Sequence, residues 1–254
     1  MQIFVLFFLA LLLLFGLFSE PSTPLDPATW ILADARSWNG IPYIATLAAD
    51  GCIIVAGLFG LFATVRAGRR APGFLDGAQL QWVFVFGAAI LGGVGGMLLR
   101  LSPSFMTLGV VRTATVVGLT ALLNTLIIER VRHRYGIRIA PWLLVLALIS
   151  VLVWFFKEDA VTGSDSRLYT AMVIYPLIVL PLIMNIFPLP TGGGSWLLTG
   201  WAIYLVGKFL EILDLPIFTW TNTSISGHTL GILCTAAAVA CAGVSLLKRR
   251  QVTI

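Results

Sequence analysis

The chain has 254 residues, of which 59% are hydrophobic and 11% charged, with mean hydropathy +0.99 and a formal charge of +5. A soluble domain of this length carries about a quarter charged residues, so the composition excludes an ordinary soluble globular protein and points to a polytopic membrane protein. The positive balance does not mark nucleic-acid binding, because most arginines fall in short loops between apolar runs, where they act as topology signals.

Runs of roughly 17–25 apolar residues can cross a bilayer. In chain order the candidates are Ile3–Phe18, Ile41–Val65, Leu80–Leu99, Phe105–Ile128, Ile139–Phe156, Thr170–Phe187, Trp196–Leu213 and Ser226–Leu247. The first has no Lys or Arg ahead of it and no clear A-x-A-like site after it. It reads as an uncleaved helix, with a cleaved signal as the alternative. Residues 1–20 are therefore expected to form an N-terminal transmembrane helix and residues 21–254 the membrane domain. Short loops predict antiparallel neighbours in one bundle. Pro103, Pro141, Pro188, Pro190 and Pro216 are expected at span ends, whereas Pro176 and Pro181 fall inside the sixth span and should kink it. Gly92 and Gly96 make a GxxxG spacing, which lets helix backbones approach closely. The glycine-rich stretch Pro190-Thr191-Gly192-Gly193-Gly194 follows no strand and reads as a flexible connection. Cys52, Cys234 and Cys241 lie in apolar runs and read as packing residues.

Eight spans place Arg66, Arg69, Arg70, Arg130, Arg132, Arg134, Arg138, Lys248, Arg249 and Arg250 on one side and only Arg36, Arg100, Lys157 and Arg167 on the other. The positive-inside rule puts the richer side, with both termini, in the cytoplasm. Four charged side chains, Asp50, Arg112, Lys208 and Glu211, fall within spans. Such groups mark a functional site unless they are neutralised structural pairs, and both readings stand. Lys208 and Glu211 are three apart on one helix and can pair; Asp50 and Arg112 can pair between helices. His228, at the outer end of the last span, completes a polar pocket opening outward, or bonds a backbone carbonyl at a helix end. His133, in the basic loop, reads as solvated.

Several short pieces recur in a family-like order: Ala33-Asp34-Ala35-Arg36, Gly40-Ile41-Pro42, Leu101-Ser102-Pro103, Glu129-Arg130, Phe187-Pro188, Lys208-Phe209-Leu210-Glu211 with Asp214, and Ser226-Gly227-His228-Thr229-Leu230. From about Asp26 to Val244 the chain resembles the bacterial branch of the alkaline ceramidase family, seven-helix zinc-dependent lipid amide hydrolases. The resemblance implies an all-α membrane fold, a seven-helix ceramidase-like bundle preceded by one extra N-terminal helix, in a bacterial inner membrane. It also implies three histidines on zinc with a serine and an aspartate beside the metal. Those positions fall on Gly96 for the serine, Arg100 for the first histidine, Val111 for the aspartate, and His228 and Ile232 for the last two histidines. Only His228 matches. Arg100 is a permanent cation that repels zinc, and Val111 and Ile232 offer no donor atom. Without metal there is no activated water.

The expectation is a catalytically silent ceramidase-like protein, without metal or cofactor, that binds a membrane lipid or joins other membrane subunits. Its polar pocket comprises Asp50, Arg100, Arg112, Lys208, Glu211 and His228. The alternatives are an amide hydrolase with a rebuilt site and a transporter using the intramembrane charges as a relay. A haem protein would need further axial histidines, and a retinal protein would need a lysine free of Glu211.

Overall fold

The computed structural model describes residues 33–70, 77–156, 166–188 and 192–249. The expected first span, Ile3–Phe18, lies outside them. The described chain opens with a short antiparallel hairpin, β1 (Ser37–Trp38) and β2 (Ile41–Pro42). Eight α-helices follow: α1 (Ile44–Arg70), α2 (Gln79–Leu101), α3 (Phe105–Leu126), α4 (His133–Phe156), α5 (Arg167–Ile186), α6 (Gly194–Ile212), the short α7 (Asp214–Trp220) and α8 (Gly227–Lys248). A π-turn, Ile127–Val131, extends α3.

Six of these helices are long and apolar enough to cross a membrane, which makes this a multi-pass membrane protein. They are α1 to α5 and α8. Helix α6 occupies the expected seventh span but is less apolar, because Lys208 and Glu211 lie in its last two turns. Large apolar side chains such as Trp142 and Phe156 of α4 point outward, as a lipid solvent allows.

Extensive contacts join α6 to α8, α8 to α1, α1 to α2 and α2 to α3; α3 also meets α4 and α5, and α5 touches α6 lightly. The largest core cluster lies at the end of the bundle that holds Trp82, Leu126 and Leu246. A second, around Trp154 and Val116, lies between α3, α4 and α5.

Several boundaries differ from the hydropathy reading. Ile41 and Pro42 belong to the hairpin, and α1 begins only at Ile44. Pro141 lies inside α4, which starts at His133 and carries polar residues in its first turns that hydropathy discounts. Pro176 and Pro181 sit inside an α5 assigned as helix without interruption from Arg167 to Ile186. The glycine-rich stretch is not merely a connection, because Gly194 already begins α6. The GxxxG pair is spent within the bundle. Gly96 is buried against Asp50 of α1, and a Cβ on Gly92 would meet Ala114 of α3. Gly96 is therefore not free to receive a helix from another protein, and the half-buried Gly92 lies beside α3.

Candidate functional site

The antiparallel order brings the last turns of α2 and α6 to the same end of the bundle as the first turns of α3, α5 and α8. Ser226 caps α8, its Oγ accepting from the Thr229 N–H at 3.1 Å, and this places His228 in the first turn. Asp214 anchors that turn. One of its carboxylate oxygens accepts from the His228 N–H at 2.7 Å, and the other accepts from the Ala33 N–H at 2.9 Å. A carboxylate at a helix N-terminus is favoured by the exposed N–H groups and the helix dipole. Arg36 holds the same strap, donating to Asp34 at 2.6 and 2.7 Å and to the Ser224 carbonyl at 2.7 Å. The Arg36 side-chain hydrogen bond keeps the Asp34 carboxyl below its ordinary pKa, against the opposing effect of burial.

Arg100, in the last turn of α2, donates from Nη2 to His228 Nε2 at 2.6 Å. Arginine has no acceptor, so Nε2 must supply its lone pair and the ring proton sits on Nδ1. One ring nitrogen is thus taken up by a cation's N–H, and the other carries the ring proton. Asp50 faces the same place from α1 and is only 3% exposed, with Oδ2 unbonded. It lies against Gly96, where an added Cβ would stand 2.5 Å from Asp50 Oδ1. The carboxylate occupies the space that a side chain at position 96 would need.

The six expected pocket residues share this end but form two groups. Arg100 lies within Coulombic reach of Asp50, Glu211, Asp214 and Tyr43, and His228 within reach of Arg100, Asp214 and Lys208. Lys208 bonds both Glu211 oxygens at 2.8 Å and lies 5.4 Å from the centre of the Tyr204 ring. The expected Lys208–Glu211 pair is therefore present. The expected Asp50–Arg112 pair is not. Arg112 lies over the rings of Trp154 and Tyr169, 4.2 and 4.6 Å from their centres. Helix α2 stands between α1 and α3, so the two side chains leave on different sides of it. Tyr169 links the groups, being within reach of Arg112, Lys208 and Glu211.

The sequence reading missed Tyr43, Trp154, Tyr169 and Tyr204 as members of the site. Aromatic residues near span ends are common membrane-interface anchors, so composition alone gives no signal that these four line a polar group.

The Lys208 side chain is 42% exposed and that of Glu211 21%. Glu211→Ala is expected to lower the unfolding midpoint in detergent, and Lys208→Met/Glu211→Leu to recover most of it. A double variant no better than the single would count against a structural pair.

The zinc that the resemblance implies does not fit these residues. Among the described residues no three His, Cys, Asp or Glu side chains come together in metal-binding range. The one histidine at the site spends Nε2 on Arg100, and Ile232 is a buried aliphatic side chain. A hydrolytic zinc needs three protein ligands and an open position. No family model matches the chain, and no curated protein does.

Proposed function

We propose that this chain is a catalytically silent, ceramidase-like membrane protein that binds a membrane lipid or serves as a subunit of a larger membrane assembly. The observation that carries the reading is the Arg100–His228 contact, a permanent cation bonded to the one surviving histidine of the family pattern. It removes the acceptor atom that a metal would use, and it leaves the Arg100 Nε buried and unbonded. That N–H, with the buried Asp50 oxygen, suits a polar group that both accepts and donates hydrogen bonds, such as a lipid headgroup.

The test is purification from native membranes in mild detergent, followed by elemental analysis, a ceramide hydrolysis assay, and mass spectrometry under native conditions. The expected result is no stoichiometric zinc, no hydrolysis, and a retained lipid or partner that Arg100→Gln releases. One zinc per chain, dependent on His228, would overturn the proposal in favour of a rebuilt hydrolase. A bare monomer would refute both its lipid and its subunit form.

The basic side, with both termini, is proposed to face the cytoplasm of a bacterial inner membrane. Reporter fusions at the two ends should give the same cytoplasmic signal. Opposite signals would remove the eight-span topology and leave seven spans as the better account.

A further inference from the structure

The end of the bundle away from Arg100 carries a second buried charged group that the proposed function does not use. The π-turn Ile127–Val131 interrupts the α-helical register and brings consecutive residues Glu129 and Arg130 into hydrogen bonds with the bundle. Such turns are rare and occur frequently at functional sites.

Glu129 is fully engaged. Arg249 donates to its two oxygens at 2.6 and 2.9 Å, and Trp82 Nε1 donates at 2.8 Å. The Arg249 side chain is 3% exposed and that of Glu129 7%, so this is a closed, neutral pair. Arg130 is different. Its Nη1 donates to the carbonyls of Phe187 at 3.0 Å and Met184 at 3.4 Å, while Nε and Nη2 are buried and bonded to nothing. Among the described residues no carboxylate stands within ion-pair distance of it. A buried guanidinium with half of its fork unused is costly unless an anion completes it.

Two further groups meet the same place. Gly193 adopts φ 78° and ψ −10°, a left-handed conformation suited to glycine, and starts α6 without any side-chain cap. A Cβ on Gly194 would lie 3.1 Å from Arg130 Nη2, and one on Gly193 would lie 2.5 Å from the Ser245 carbonyl oxygen and 3.2 Å from Ser245 Oγ. The guanidinium and the hydroxyl therefore flank the first turn of α6. Ser245 is 1% exposed, and its Oγ is likewise unbonded.

We infer that the N-terminus of α6, Arg130 and Ser245 form a binding site for a phosphate-type oxyanion. Nε and Nη2 are the parallel edge of the guanidinium and fit two oxygens of one anion. The uncapped N–H groups of α6 and the Ser245 hydroxyl supply donors from two other directions. A tetrahedral oxyanion can meet all three directions, whereas a planar carboxylate has only two oxygens. The anion can be the headgroup of an acidic phospholipid in the adjoining leaflet or a soluble phosphate.

The test uses the full chain in nanodiscs of phosphatidylcholine alone, of phosphatidylcholine alone with inorganic phosphate added at constant ionic strength, and of phosphatidylcholine with phosphatidylglycerol. Ligand at about tenfold its dissociation constant is expected to raise the unfolding midpoint by about 3–6 °C. A rise with phosphatidylglycerol only assigns the site to a lipid headgroup, and a rise with inorganic phosphate assigns it to a soluble anion; either supports the site. Arg130→Gln should abolish the rise, and Ser245→Ala should weaken binding about tenfold. Should Arg130→Gln fail to fold, Ser245→Ala decides by the same measure. No rise from either source, or a rise undiminished in the variants, overturns the inference.

Discussion

Replacing Glu129 with alanine is expected to destabilise the protein by about 3–5 kcal/mol, the largest effect of any single change considered. The carboxylate accepts two hydrogen bonds from Arg249 and one from the Trp82 indole, and both donors are almost completely shielded. Alanine leaves a guanidinium and an indole N–H buried without an acceptor, and the charged donor dominates the cost. The same change unties the C-terminal end of α8 from the π-turn, because Arg249 directly follows α8, and leaves only its place over the Trp82 ring of α2 at 5.4 Å. At about 2–4 °C per kcal/mol for a protein of this size, the unfolding midpoint in detergent should fall by roughly 10 °C. Removing both charges, as Glu129→Leu with Arg249→Met, should restore a large part of the loss, since apolar replacement of a buried pair is often neutral. A loss below about 1 kcal/mol for Glu129→Ala would show that the pair is open to water and that the second charged centre is not a buried one.

That centre was poorly legible in the sequence. Glu129 and Arg130 read as part of a family-like piece, and Arg130 and Arg249 read as loop charges that set topology. The π-turn and the end of α8 bury the Glu129–Arg249 pair and shield the Arg130 fork instead. A hydropathy window does not register a one-residue change of helical register, and the Glu129–Arg249 contact spans 120 positions. Local spacing did better. Lys208 and Glu211 are three apart on one helix, and their pair follows from helical geometry alone. The same logic failed for Asp50 and Arg112, where opposite charge suggested partners but helix order decided otherwise. Asp50 faces α2 and Arg112 faces the aromatic side chains of α4 and α5, a separation visible only once the neighbours of each helix are known. The sequence marks Arg100 and His228 separately, and nothing in it signals their contact across 128 positions. The six helices long and apolar enough to cross a membrane were the most legible, since apolar length is a property of the local sequence; their ends moved where a hairpin or polar first turns adjoin them.

The second large effect is expected from Gly96→Ser, which puts the serine that the resemblance implies at this position. A Cβ at this position lies 2.5 Å from Asp50 Oδ1, 2.7 Å from its Cγ and 2.8 Å from its Oδ2, closer than real Cβ atoms approach. The two helices are closely packed one turn earlier as well, where a Cβ on Gly93 would stand 2.8 Å from the Asp50 carbonyl oxygen, so parting them would open that contact too. The carboxylate must therefore leave its place beside Arg100, or the two helices must part. Overpacking of this kind costs about 1–3 kcal/mol. Asp50→Ala provides the missing space, so Gly96→Ser in the Asp50→Ala background should cost much less than in the native chain. The resulting coupling between the two positions should be about 1 kcal/mol or more. Unfolding of the four variants in the same detergent measures it. Additive effects, or a Gly96→Ser variant as stable as the native chain, would mean that Asp50 does not fill the serine's place. Strong coupling would instead establish that glycine at 96 and the buried carboxylate at 50 are one structural exchange. The end of the bundle with His228 would then be organised around a carboxylate, a guanidinium and an imidazole.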